Sequence, residues 1–291
     1  MRSSHLRSLA VGIVAMALLG AACASSSSTA PVGSGGSSSG PAYTTLKPGI
    51  LQVASCMEYP PFEKIPAGSK QPVGFDIDMT VAIAAKLGLQ VQWVKAGFNT
   101  IFTAVAAHKF DMVAAAVTAT GKLGNTRSQT VTFSNFYYDS EQSFSVNTNK
   151  TPTLTSTDQL KAGDTVGVQQ ATTGADWAIT NLQPKGIQIK EYPVITTAFT
   201  DLEAGNITGV INDAPSSASE VKGRAGLKLV EGIPTHERYA FAFAQDNPGL
   251  VAAWNKGLQE VIADGEYSKI FLRWFPGVPV PNEYQGTSSA P

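Results

Sequence analysis

One pattern constrains the fold of this chain more than any other: short apolar runs alternate with amphipathic stretches, and the alternation is written twice. Residues 49–54 and 89–94 read as strands, with a helix over 76–87 between them that opens on Asp76 and Asp78 and is stopped by Gly88. A short helix over 99–108 follows, and then the run 111–117, apolar on both faces as a strand between parallel neighbours tends to be. A second unit repeats the scheme, with strands over 164–169, 187–192 and 210–213 and helices over 173–182 and 197–204. Residues 144–146 begin a crossover out of the first unit and 239–244 return to it, where helices over 248–262 and 266–274 would pack. No tandem sequence repeat accompanies this. The order predicts an α/β protein of two lobes, each a mainly parallel sheet flanked by helices, with two crossovers as a hinge.

In open α/β sheets ligands collect beyond the carboxyl ends of strands. Thr118, the stretch 170–173 and Asp213 all fall there, and Arg127 follows Thr118-Ala119-Thr120. An arginine fork matches a carboxylate with two parallel hydrogen bonds, and a lone aspartate matches an ammonium. Arg127 and Asp213 could thus form the two halves of a clamp for a free α-amino acid, with Thr118 donating beside Arg127 from its hydroxyl or amide. By local sequence alone Arg127 reads as a surface arginine in a loop of Asn, Thr and Ser; only its spacing of six residues to Phe133-Ser134, part of a family resemblance, favours the binding role. Thr172 and Thr173 open a helix whose first N–H groups favour a carboxylate, although a threonine N-cap needs no ligand. Asp213 carries a similar double reading, because Ala214-Pro215-Ser216 could begin a helix that it caps. Tyr59 and Phe98, in loops after strands, are placed to stack on a ligand side chain, though each alone reads equally as a core aromatic. Phe62, Phe75, Trp93, Phe102 and Trp274 are assigned to the core, and Asn212 could reach a ligand side chain.

Tyr59-Pro60-Pro61-Phe62-Glu63, then Val73-Gly74-Phe75-Asp76-Ile77-Asp78, then Arg127 and Phe133-Ser134-Asn135-Phe136-Tyr137-Tyr138, in this order and spacing, resemble the family 3 extracellular solute-binding proteins. The resemblance runs from about Gly49 to Phe275. It implies the two-lobed type II periplasmic-binding-protein fold and an amino-acid receptor that serves an ABC importer, with a membrane permease as partner. It also implies boundaries: lobe 1 over 47–140 and 241–275, lobe 2 over 141–240. In the family the arginine usually stands three residues after the second threonine, whereas Thr120 to Arg127 is seven. Residues 121–124 are read as an inserted bulge; if the register were kept from Thr120, Leu123 would take the arginine's place. Ala171 stands where the family usually has glycine. Cys56 stands where relatives that bind lysine, arginine or glutamine often have aspartate, so a cationic side chain looks less well served, unless Glu58 supplies the charge.

The N-terminus reads as a targeting segment. Arg2 and Arg7 precede an apolar run over 9–19, too short to span a membrane, and Gly20-Ala21-Ala22 precede Cys23. Residues 1–22 resemble a lipoprotein signal with Cys23 as the lipidated residue; plain secretion with cleavage near Ala22 is the alternative. A Ser/Gly-rich tether over 23–46 follows, and 276–291 is expected to be a disordered tail. The protein would then stand outside the cytoplasm, anchored to the cell membrane, as a monomer. With Cys23 lipidated, Cys56 has no disulfide partner. The formal charge of −1 with no basic stripe argues against nucleic acid, and three scattered histidines give no metal-ligand spacing. No cofactor is expected and no enzyme activity. The rival readings are a dehydratase acting on cyclohexadienyl amino acids, for which Glu58 is the one candidate acid or base, and an amino-acid sensor.

Overall fold

The computed structural model describes residues 43–286. The expected signal segment, Cys23 and most of the tether lie outside the described residues.

The chain begins with β1 (Ile50–Ser55), a small hairpin of β2 (Glu58–Tyr59) and β3 (Glu63–Lys64), then α1 (Phe75–Lys86), β4 (Gln90–Lys95), α2 (Ile101–Ala106), β5 (Met112–Val113) and α3 (Gly121–Arg127). A long strand, β6 (Thr132–Asn147), leads into the second lobe. That lobe contains β7 (Thr165–Gln169), α4 (Thr173–Asn181), β8 (Gln188–Tyr192), α5 (Ile195–Ala204), β9 (Gly209–Asp213) and α6 (Ala214–Val221). A second long strand, β10 (Leu227–Phe243), returns, and α7 (Pro248–Ala263) and α8 (Glu266–Trp274) pack on the first lobe.

The main strands lie in the order β4-β1-β5-β10-β6-β9-β7-β8. Each end is a parallel triplet: β1 pairs with β4 and β5, and β7 with β8 and β9. Parallel neighbours cannot be joined by tight turns, which is why helices alternate with strands in the sequence. Between the triplets runs the antiparallel pair β6/β10, long enough to belong to both lobes. Its register slips between Ile233 and Glu237 and again after Tyr239, and His236 sits at φ 52°. Such bulges bend a two-stranded ribbon, and they fall near the expected crossovers.

A large core gathers Phe75, Tyr137, Tyr267 and Phe271 beneath α1, α7 and α8, and a smaller one joins Phe144, Val166, Val168 and Ile211 to α4. Together the parallel triplets, flanking helices and shared ribbon are the two-lobed α/β architecture expected from the sequence.

Several local expectations change. The run 111–117 pairs as a strand only at Met112–Val113, because Ala116 turns away at φ 47° and gives its N–H to the buried Asp76 carboxylate at 2.8 Å. Residues 121–124 are the opening of α3, not a bulge. The β2/β3 hairpin was not foreseen, and α6 is the helix that Ala214-Pro215-Ser216 could begin. The disordered tail does not hold for 276–286: Tyr284 is buried against Tyr267, and Glu283 pairs with Arg238 at 2.6 Å. At the other end the tether expectation fails for 43–46, where Tyr43 bonds Leu87 O and Leu46 N bonds Asp111.

Candidate functional site

Between the lobes lies a narrow, nearly filled cleft with a cavity volume of about 20 Å³. Cys56, Tyr59, Phe98, Thr118 and Arg127 line it from one side, and Thr172, Thr173 and Asp213 from the other. Eight of the sequence-selected residues thus converge on it, and Asn212 touches it through Tyr59, whose hydroxyl donates to Asn212 Oδ1 at 3.0 Å.

Arg127 is the last residue of α3. Residues 121–124, read as an insertion, form the first turn of this helix, a length of about one turn of 3.6 residues. Gly124 lets α3 lie against the preceding loop: a Cβ there would come within 2.3 Å of the Ala119 carbonyl carbon. The guanidinium donates from Nη1 to Thr118 O at 2.8 Å and from Nη2 across the cleft to Ala171 O at 2.9 Å. It lies 4.9 Å from the centre of the Phe102 ring and 5.5 Å from that of Phe98. Phe98 therefore supports the arginine as well as lining the cleft, and Phe102 is more than the core residue it was assigned to be. Burial lowers the pKa of Arg127 to about 10, with Glu237 and Asp213 opposing the fall, so it remains a cation at neutral pH.

Asp213 ends β9 and occupies the N-cap position of α6, yet its side chain caps nothing. The carboxylate turns instead to Gln142 Nε2 and the Tyr239 hydroxyl, both of which donate to it. Burial, and then the neighbouring Glu237, push its pKa up to about 7. A buried carboxylate of this kind gains from an ammonium placed against it.

Thr172 follows the N-cap reading, while the hydroxyls of Thr118 and Thr173 make a contact that the sequence did not show. Thr172 is a true N-cap: its Oγ1 accepts from Ala175 N at 3.2 Å and donates to Gln169 O at 2.7 Å, so the hydroxyl is spent locally. The hydroxyls of Thr118 and Thr173 both donate to Glu237 Oε2, at 2.6 and 2.7 Å. Hydroxyl donation from Thr118 to a ligand carboxylate is therefore replaced by donation to this glutamate. Ala171 adopts φ 62°, which explains the glycine usual at this place. Cys56 donates to the buried Glu63 at 3.0 Å, and burial raises its thiol well above the ordinary range. Glu58 does not enter the cleft; it pairs with Lys95 on the surface.

Three residues of the site went unread in the sequence: Gln142 on β6, and Glu237 and Tyr239 on β10. The visible signal was polar groups placed inside long apolar strands. Asp76 was read only as a helix-start acid. It is fully buried, takes the Tyr137 hydroxyl at 2.8 Å and the Ala116 N–H, and so holds the loop that floors the cleft; burial lifts it to about 7. A wider groove of about 890 Å³, bordered by Pro61, Tyr138, Trp274 and Val278, lies along the hinge and holds neither anchor. Among the described residues no cluster of His, Cys, Asp and Glu could hold a metal ion, and no helix is long and apolar enough to cross a membrane.

Residues 51–277 match the bacterial extracellular solute-binding proteins of family 3. The chain belongs to that family. It is 30% identical over 263 residues to a probable histidine-binding protein of Neisseria gonorrhoeae, covering 87% of this chain and 92% of that one. It is also 30% identical over 230 residues to the putative ABC transporter arginine-binding protein 2 of Escherichia coli (strain K12), covering 77% and 90% of the two chains. Among solved structures, an ancestral arginine-binding protein bound to arginine superposes with a TM-score of 0.73 at 32% identity, covering 78% of this chain and 98% of that one. These similar proteins are binding proteins, and their two-lobed fold is the one described above.

Proposed function

We propose that this protein is an extracytoplasmic receptor that closes on one free L-amino acid and delivers it to the permease of an ABC importer. The observation that carries the reading is the confrontation, across a closable gap, of a buried guanidinium and a buried carboxylate. Arg127 has further N–H donors besides the two it gives to carbonyls, and these receive the α-carboxylate. Asp213 receives the α-ammonium. The amides of Thr172 and Thr173, at the start of α4, add to carboxylate binding from the second lobe. Tyr59, Phe98, Cys56 and Asn212 border the side chain.

Hinge bending at the β6/β10 ribbon opens and closes the cleft, with the lobes divided near residues 140 and 240. Burying a zwitterion is costly unless both charges are met, so amines and carboxylic acids with one charge alone are rejected. Cys23 carries a lipid after removal of 1–22, the following tether holds the monomeric receptor near the membrane, and no cofactor or nucleic acid takes part. The cleft is read as a receptor site and not an enzyme's; Glu58, the one acid the sequence offered for a dehydratase, pairs with Lys95 on the surface.

Titration calorimetry on Asp213→Ala tests the assignment. Binding of L-amino acids should fall by about a hundredfold or more, on the order of 3 kcal/mol for an unpaired charge, with the fold intact by circular dichroism. Near-native affinity in that variant would refute it.

A further inference from the structure

Glu237 is a charged residue that a bare zwitterion clamp does not call for. It lies at the bulge of β10, only 4% exposed, and its carboxylate accepts four hydrogen bonds. Thr118 Oγ1 and Thr173 Oγ1 reach Oε2 at 2.6 and 2.7 Å; Gln142 Nε2 and Thr235 Oγ1 reach Oε1 at 2.8 and 2.9 Å.

Two consequences follow. A hydroxyl has a single proton to donate, and a carboxylate offers only lone pairs. Thr118 and Thr173, one on each side of the cleft, therefore spend their protons on Glu237, Thr173 Oγ1 also accepting from Gln142 Nε2 at 3.3 Å, so neither hydroxyl keeps a proton for a ligand carboxylate. The second consequence is charge. Gln142 Nε2 donates to Asp213 as well as to Glu237, holding the two carboxylates side by side, and Arg127 is the one guanidinium lining the cleft opposite them. A zwitterion adds no net charge and leaves the acids in excess. A ligand with one more positive charge balances them, and in a closed gap of low dielectric that balance matters.

We propose that Glu237 is a specificity-determining residue, which makes the cleft select amino acids with a cationic side chain over neutral or acidic ones. The proposal rests on the receptor reading above. It reverses the impression left by Cys56, because the acidity of the cleft comes from a strand far along the chain.

The test is calorimetric titration of the whole purified protein with L-arginine and L-glutamine, which differ mainly in side-chain charge. The native protein should favour arginine by about tenfold or more, a step of 1.4 kcal/mol. Glu237→Gln should reduce the arginine-to-glutamine affinity ratio by about tenfold, and Glu237→Asp should restore part of it. The ratio cancels any general loosening of the fold. Equal weakening of both ligands in Glu237→Gln would make the residue a mere strut and overturn the proposal. So would a native protein that binds glutamine as tightly as arginine, a result independent of whether any variant folds. A native protein that binds none of the common L-amino acids would sink the receptor reading itself.

Discussion

At the scale of single residues, the site is governed by what each polar group is forced to do with its protons. Arg127 meets carbonyl oxygens of both lobes, and its stem and fork rest on Phe98 and Phe102. A lysine cannot reproduce this. Its ammonium is a point donor on a flexible stem, without the planar fork. Arg127→Lys keeps the charge, yet amino-acid affinity should drop by about a hundredfold, or roughly 2–3 kcal/mol, with little change in melting temperature. Calorimetry that found the lysine variant within a few-fold of native would show that charge alone suffices. Arg127 was legible because its distance to Phe133-Ser134 could be compared with a familiar spacing. Glu237 was not, since nothing in Thr235-His236-Glu237-Arg238 says that a strand will bulge and turn that carboxylate to the cleft. The proton direction of Thr118 was equally hidden: it depends on a partner 119 positions away.

At the scale of elements, the stretch between Thr120 and Arg127 is taken up as helix, and α3 carries the guanidinium at its last residue. The arrangement depends on close approach at Gly124. Gly124→Val should push α3 off the Ala119 carbonyl, because the clash is with backbone and cannot be relieved by a rotamer change. Expected are a loss of about 1–3 kcal/mol in denaturant unfolding and a larger proportional loss of amino-acid affinity through misplaced Arg127. Unimpaired binding in that variant would mean that α3 can shift without moving the guanidinium. The helices over 75–86, 248–263 and 266–274 were legible nearly to the residue, since apolar spacing, acidic starts and glycine stops act locally. The shortness of β5 was not, because it is set by Asp76 capturing the Ala116 N–H from 40 positions away. Nor was the tail, where Tyr284 finds a buried place only after α8 has packed.

For the whole molecule, three buried carboxyls held above the ordinary range, Asp213, Asp76 and Glu63, tie pH to conformation. Contacts that bridge the cleft include Tyr59 to Asn212, Arg127 to Ala171 O, Thr118 to Glu237, and Lys122 to Asp176 at 2.8 Å. In this bridged form burial lifts Asp213 to about 7, whereas an opened cleft would return it to water and to the ordinary range near 3.9. Asp76 is also lifted to about 7, but deep beneath the cleft floor, where opening does not reach it. An acid whose folded pKa is raised binds more protons native than unfolded between the two values. Its contribution to stability is therefore greatest at the acid side and is lost as pH rises from about 4 to about 7. Ligand-free protein should accordingly melt at higher temperature at pH 5 than at pH 8, and acidification over that range should favour the bridged form, seen as a smaller radius of gyration in solution scattering. An amino acid whose ammonium meets Asp213 takes over the proton's role there, so saturating ligand should shrink the pH 5 to 8 difference to the share owed to Asp76 and Glu63. Asp213→Asn should shrink it in the same way without ligand. A melting temperature that rose from pH 5 to pH 8, or a pH dependence untouched by both ligand and Asp213→Asn, would show that Asp213 does not couple protons to closure.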